Sequence, residues 1–243
     1  LPAGSTLTDT ILFTSDDGAT QTQTIVLTGT DDASAITVTP GISAEVTVTE
    51  DDGSNNTAVG TVSVTDVDTG EGNLDTAVAN YGTVTVDGDG NWSYVLNNGA
   101  AEVQALAEGV TMTDSIVFTA EDGTTQTQVI SITGANDAAN ILVSASDLSV
   151  SEDGDSQASG SISVSDVDEG EGALEATSAS YGTVTVDGSG SWSYLLNNSD
   201  SAVQALPEGA TMTDTIVFTS DDGTTPTQVV TITGANDGAS IIV

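Results

Sequence analysis

The sequence contains no lysine, no arginine and no histidine. No side-chain salt bridge can therefore form, and the 37 Asp and Glu residues give a formal charge of -37 with nothing of opposite sign to offset it. Globular surfaces normally intersperse both signs, so folding here gathers charges that repel one another unless salt screens them or bound cations neutralise them. The same lack removes any basic patch, which excludes nucleic acid and anionic membrane surfaces as partners. Cysteine is also absent. No disulfide can staple the fold, and without Cys or His a zinc site has lost its usual ligands. No apolar run approaches the ~20 residues of a membrane-spanning helix, so no membrane insertion is expected. Aromatics are few, at 4% of residues, but the 37% of hydrophobic residues fall in ordered alternating segments, which argues against disorder.

What is present is a repeat. Tyr81-Gly82-Thr83-Val84-Thr85-Val86-Asp87-Gly88 recurs identically from Tyr181 to Gly188, and Trp92-Ser93-Tyr94 returns as Trp192-Ser193-Tyr194. Phe13-Thr14-Ser15-Asp16-Asp17-Gly18 has counterparts at Phe118–Gly123 and Phe218–Gly223. Alignment of the copies makes residues 1–32 the last third of a repeat, residues 33–137 one complete repeat and residues 138–243 another. Leu1-Pro2-Ala3-Gly4 then corresponds to Leu206-Pro207-Glu208-Gly209, and the chain is expected to start in mid-repeat, either as a piece of a longer array or as a segment that completes a fold elsewhere.

Period-2 alternation predicts strands over 35–49, 58–65, 82–87, 91–97, 113–120 and 125–133, with equivalents one repeat later. Val, Ile, Thr, Tyr and Trp dominate them, as pleated, half-buried surfaces favour. Asp87-Gly88-Asp89-Gly90 and Asp187-Gly188-Ser189-Gly190 read as hairpin turns. A short helix is expected at 101–106 and again at 202–206. Six or seven short strands in about 100 residues point to an all-β fold of tandem immunoglobulin/cadherin-like Greek-key β-sandwiches in an elongated array.

The acids cluster at turns and junctions rather than along strands. Each complete repeat carries Glu50-Asp51 or Glu152-Asp153, then Asp66-x-Asp68 with Glu71 or Asp166-x-Asp168 with Glu171. A later turn holds Asp122 or Asp222, and the inter-repeat junctions hold Asp31-Asp32, Asn136-Asp137 and Asn236-Asp237. Asp-x-Asp on an extended backbone puts both carboxylates on one side, within reach of one cation. A hard, all-oxygen donor set suits Ca2+, which needs six to eight oxygens, so several loops must converge. Strand direction predicts an inter-repeat clamp in which Asn136-Asp137 arrives beside Glu50 and next to Asp166 and Asp168. Asp87 and Asp187 are expected to serve turn geometry only, and Trp92 and Trp192 to lie in the core rather than stack on sugars.

The succession Asp-x-Asp-x-Gly, Tyr-Gly-Thr-Val-Thr-Val-Asp-Gly, Trp-x-Tyr-x-Leu-Asn-Asn, Val-Gln-Ala-Leu, Thr-Asp and Thr-Gly-x-Asn-Asp resembles VCBS repeats. These are relatives of the cadherin-like and immunoglobulin-like modules of very large bacterial surface adhesins. The resemblance implies an immunoglobulin-like sandwich, secretion to the bacterial cell surface, and linkers stiffened by calcium through Glu50, Asp66, Asp68, Asn136 and Asp137. The first junction, Gly29-Thr30-Asp31-Asp32, departs from the Gly-x-Asn-Asp pattern. A calcium-binding structural spacer is the resulting expectation, its partners being neighbouring repeats of the same chain or copies of the same protein. Any contact with surface glycans or proteins is expected through other parts of the parent. The alternatives are a self-assembling filament subunit whose residues 1–32 complete a neighbour's fold, and, more weakly, a glycan-binding module. Catalysis is not expected: the carboxylate pairs recur in every copy, and no His, Lys or Cys assists them.

Overall fold

The structure, a computed structural model, describes residues 1–41 and 45–238. The chain divides into two units, Leu1–Ala135 and Asn136–Val243.

Unit 1 opens with a hairpin of β1 (Thr6–Thr14) and β2 (Thr20–Thr28), which pair antiparallel as a two-stranded sheet. A sandwich follows, built from β3 (Ala35–Thr39), β4 (Val46–Thr49), β5 (Thr57–Thr65), β6 (Leu74–Val78), β7 (Gly82–Val86), β8 (Asn91–Leu96), the one-turn helix α1 (Ala101–Gln104), β9 (Thr111–Ala120) and β10 (Thr125–Thr133). One sheet has the order β3-β5-β8-β7 and the other β4-β10-β9-β6. Unit 2 repeats the plan with β11 (Asn140–Asp147), β12 (Ser149–Ser151), β13 (Gln157–Ser165), β14 (Leu174–Ser178), β15 (Gly182–Val186), β16 (Ser191–Leu196), α2 (Ser201–Gln204), β17 (Thr211–Ser220) and β18 (Thr227–Thr233). Its sheets are β11-β13-β16-β15 and β12-β18-β17-β14. Both units are thus Greek-key sandwiches of the expected class.

The inward faces follow directly from the alternation. On β8 the residues Trp92, Tyr94 and Leu96 are buried, and on β9 and β10 so are Ile116, Phe118, Ile130 and Ile132. Trp92 from one sheet meets Phe118 from the other, ring centroids 6.2 Å apart, and Trp192 meets Phe218 at 6.0 Å. Such pairs bind the layers beyond the area they bury. The glycine in each Tyr-Gly-Thr-Val element has a packing reason: a Cβ on Gly82 would sit 2.3 Å from the Tyr94 ring, and one on Gly182 the same distance from Tyr194.

Three sequence expectations are corrected. The single strand over 35–49 is two strands in different sheets: β3 pairs antiparallel with β5, whereas β4 runs parallel to β10. Pro40, which lacks a backbone N–H, follows β3 directly and cannot extend its ladder; residues 42–44 of that expected strand lie outside the described residues. The edge strands β6 and β14 were not expected at all. Their Leu-x-x-Ala/Thr pattern is broken by an irregularity in register after Leu74 and Leu174, which hides the alternation. The helices end at Gln104 and Gln204 rather than at 106 and 206.

Candidate metal centre

The loop between β5 and β6 starts with Asp66-Val67-Asp68, and the chain entering the sandwich from β2 brings Asp31, Asp32 and Ser34 against it. Asp66 Oδ1 accepts the Asp68 N–H at 2.7 Å, which fixes the loop, and its Oδ2 accepts the Ser34 hydroxyl at 2.8 Å. Asp68 is 3% exposed; its Oδ2 accepts the Asp32 N–H at 3.0 Å. Its Oδ1 accepts no hydrogen bond from a side chain or peptide, and the α-amino group of Leu1 stands 2.9 Å away. Glu71 Oε2 is buried without a hydrogen-bond partner. Carboxylate oxygens of Asp31, Asp68 and Glu71 all lie within 4.8 Å of one another. Three like charges that close repel strongly unless a proton or cation lies among them. Burial, followed by the proximity of Asp31, pushes the Glu71 carboxyl above its usual range.

Unit 2 carries the same loop between β13 and β14. Asp166 Oδ1 accepts the Asp168 N–H at 2.9 Å, and Asp168 Oδ2 accepts the Asp137 N–H at 2.8 Å. Ala139 replaces Ser34, so no hydroxyl reaches Asp166. Asp166 Oδ2, Asp168 Oδ1 and Glu171 Oε2 are all buried and accept no hydrogen bond among the described residues. Burial and then the neighbouring Asp168 and Asp166 push the Glu171 carboxyl upward. Asn136 occupies the position of Asp31, an amide where the first unit has a charge.

Bare buried carboxylate oxygens are rare because each costs its hydration without compensation. A cation with oxygen preference would offset that cost: in unit 1 Asp31, Asp68 and Glu71 bring carboxylate oxygens within 4.8 Å of one another, and in unit 2 Asp166, Asp168 and Glu171 offer buried oxygens. The absence of sulfur and imidazole favours Ca2+ over a transition metal.

The remaining expected ligands are placed otherwise. Glu50 and Glu152 are buried at the far end of their sandwiches. Glu50 accepts Gln104 Nε2 at 2.7 Å and the Ala135 N–H at 3.4 Å; Glu152 accepts Gln204 Nε2 at 2.8 Å and the Ala235 N–H at 3.0 Å. They tie the short helix to the segment leaving the last strand. Asp51 and Asp153 adopt left-handed backbone angles, φ 51° and 54°, and form reciprocal pairs with Asn98 and Asn198. Asp122 accepts the Ser34 N–H (2.8 Å), the Thr124 N–H (2.9 Å) and the Thr124 hydroxyl (2.7 Å). Asp222 anchors the Ala139 N–H in the same way, at 2.8 Å. Both therefore hold the junction segment against the cluster through hydrogen bonds. Asn236 and Asp237 are exposed. Asp87 and Asp187 accept backbone N–H groups within their own hairpin turns, at 2.8–3.0 Å.

Sequence reasoning overlooked Ser34 and the pair Asp114 and Asp214. Each of these aspartates is 1% exposed. Asp114 accepts the Tyr94 hydroxyl (3.0 Å) and the N–H groups of Asn80 (3.1 Å), Tyr81 (2.7 Å) and Ser115 (2.7 Å). Asp214 repeats this with Tyr194, Ser180, Tyr181 and Thr215. Its signal was an acid at an inward position of an otherwise apolar strand.

A pH dependence follows. The Asp122 carboxyl is held down to about 2, from 3.8, first by the Ser34 and Thr124 N–H bonds, and Asp222 lies lower still. A depressed carboxyl stabilises the fold above the unfolded value and loses that contribution as pH falls through the folded value. Glu71 and Glu171 have the opposite sign: their raised carboxyls let the folded state bind protons that the unfolded state does not. In chelator, thermal stability is expected to rise as pH falls towards the raised values of Glu71 and Glu171, then to fall as pH drops further towards about 2, where Asp122 is protonated. Saturating calcium should abolish the rise but not the acid fall. Melting curves across pH, with and without calcium, measure both limbs.

No family model matches the chain, and no curated protein matches it. Solved structures do. The extracellular cadherin domains 1–5 of protocadherin gamma B2 match with a TM-score of 0.51 at 13% identity, covering 94% of this chain and 51% of that one. The protocadherin gamma B4 extracellular domain matches at 0.47 and 13% identity, over 96% of this chain and 37% of that one. The chain thus spans about half or less of the length of these structures, and the fold it shares with them is cadherin-like.

Proposed function

We propose that the chain is a calcium-binding structural spacer of an extracellular adhesive protein, of the VCBS-repeat kind, carried on a bacterial cell surface and without catalytic activity. The observation that carries this reading is the set of buried oxygens of Asp166, Asp168 and Glu171 that accept no hydrogen bond among the described residues; in unit 1 Glu71 Oε2 is buried in the same way, and carboxylate oxygens of Asp31, Asp68 and Glu71 lie within 4.8 Å of one another. Calcium held there joins the segment entering each sandwich (Asp31 and Asp32, or Asn136 and Asp137) to the loop after its second long strand. That fixes the linker to the domain it enters. A cadherin-like fold, the charge of -37 and the repetition of the Asp-x-Asp loop in both units support the reading. Calorimetric titration of the decalcified protein tests it. Calcium is expected to bind, with one class of sites lost in Asp68→Asn and another in Asp168→Asn; heats no larger than dilution would refute it.

A second reading is self-assembly, in which residues 1–32 complete the fold of a neighbouring molecule. Sizing of the intact protein tests it through the presence or absence of a polymer ladder. The glycan-binding alternative loses its motivation, because Trp92, Tyr94, Trp192 and Tyr194 are all at most 1% exposed.

A further inference from the structure

The connection between β8 and α1 carries Asn97-Asn98-Gly99-Ala100, and Asn98-Gly99 is the one Asn-Gly step in the chain. The Ala100 N–H donates to the Asn97 carbonyl at 3.0 Å, closing a turn with Asn98 and Gly99 at its centre. The Asn98 amide reaches out of that turn to Asp51. Its Oδ1 accepts the Asp51 N–H at 2.9 Å, and its Nδ2 donates to Asp51 Oδ1. Gly99 is exposed, and its own N–H donates no hydrogen bond among the described residues.

Unit 2 has the same amide pair with a different successor. Asn198 Oδ1 accepts the Asp153 N–H at 3.2 Å, and Asn198 Nδ2 donates to Asp153 Oδ1 at 2.7 Å. The next residue there is Ser199, whose N–H is already committed to Asn197 Oδ1 at 3.2 Å. A side chain crowds the approach of its own main-chain nitrogen to the preceding amide carbon, and the hydrogen bond withholds that nitrogen further. At Gly99 neither obstacle is present, and only the Asp51 pair keeps the Asn98 amide away from the main chain that follows it.

We infer that Asn98 is a site of spontaneous deamidation, held off in the folded protein by its pair with Asp51. When the pair opens, the Gly99 nitrogen gives its proton to water and bonds to Asn98 Cγ. The Cγ–Nδ2 bond breaks, ammonia leaves with a proton taken back from water, and a cyclic imide remains. One water then opens the ring at either carbonyl, leaving an aspartate in place of Asn98 or an isoaspartyl link that lengthens the main chain by a methylene. Either product sets a carboxylate against Asp51 where an amide N–H donated before, and no side-chain cation in the chain offsets it. Asp51 holds a left-handed backbone, φ 51°, and its neighbour Glu50 joins Gln104 of α1 to Ala135. Deamidation therefore loosens that end of the unit 1 sandwich and spares unit 2, an ageing mark carried by one repeat.

Incubation of the full chain at mildly alkaline pH, native and in denaturant, tests this through the mass gained when an amide becomes an acid. Peptic peptides locate the change, since the lack of Lys and Arg denies trypsin its sites. Asn98 is expected to convert first, and faster in denaturant than in the native chain. Hydrogen bonds to a charged partner suppress opening by a factor of roughly 10 to 100, so native Asp51→Gly should convert faster than the parent by about that factor. Glycine suits the left-handed backbone there, and a melting curve checks the fold. Asp51→Asn, which also tolerates that backbone and offers only a neutral acceptor, gives the same comparison if the glycine variant fails to fold. Adding Gly99→Ser should restore slow conversion, while Asp153→Gly should leave Asn198 nearly intact. Equal rates in the native and unfolded chain, first conversion at another amide, or a folded Asp51 variant no faster than the parent overturns the proposal.

Discussion

Removal of calcium with a chelator is expected to lower the melting temperature of each sandwich by about 10–20 °C. A site held at 100 times its dissociation constant contributes about 2.7 kcal/mol, and each kcal/mol shifts the midpoint of a domain of 60–100 residues by about 4–8 °C. Whole domains are commonly stable by only about 5–15 kcal/mol, so two such sites matter. In Asp168→Asn the unit 2 transition should lose its calcium response while the unit 1 transition keeps it. The reverse should hold for Asp68→Asn. Differential calorimetry resolves the two. A chelator-insensitive midpoint in the parent protein would mean that the acidic loops are merely solvated turns.

A comparable loss is expected from Asp114→Ala or Asp214→Ala, for an unrelated reason. The substitution strands a buried Tyr hydroxyl and the N–H groups of the turn before the seventh or fifteenth strand, and buried donors left unsatisfied cost about 1–3 kcal/mol each. For these three donors the sum is about 3–9 kcal/mol, confined to the unit that carries the change. Asp114→Asn keeps one acceptor oxygen and should fall between. Denaturant unfolding measures the series; a cost below about 1 kcal/mol for the alanine variant would show that water replaces the carboxylate without penalty. This effect is independent of calcium, which separates it from the junction variants.

Most of the sandwich was legible in the sequence because its strands alternate strictly and bury one face. Tyr81–Val86 and Trp92–Leu96 could hardly be placed otherwise. What escaped the pattern had physical reasons. The switch of sheet between the third and fourth strands depends on pairing partners distant in sequence, not on the alternation of the segment itself. The edge strand over 74–78 carries an acid and a register shift that mask its period.

The candidate site was partly legible. Asp-x-Asp marked the loop that does hold buried carboxylates, but the spacing carried no sign that Asp122 and Asp222 would accept N–H and hydroxyl groups of the junction and their own turns. Nor did it show that Glu50 would face Gln104. Those roles depend on which loops meet. The contrast between Ser34 and Ala139 was invisible for the same reason, although it decides whether Asp66 or Asp166 keeps a bare oxygen. Asp9, in Leu-Thr-Asp-Thr-Ile, and Asp114, in Met-Thr-Asp-Ser-Ile, stand in similar sequence contexts yet differ in their hydrogen-bond partners.

The most direct test is a crystal structure of the chain grown in calcium. The account predicts an ion in each unit with oxygens of Asp68 and Glu71, and of Asp166, Asp168 and Glu171, at about 2.3–2.6 Å. Side chains in the same places with only water between them, at millimolar calcium, would contradict it.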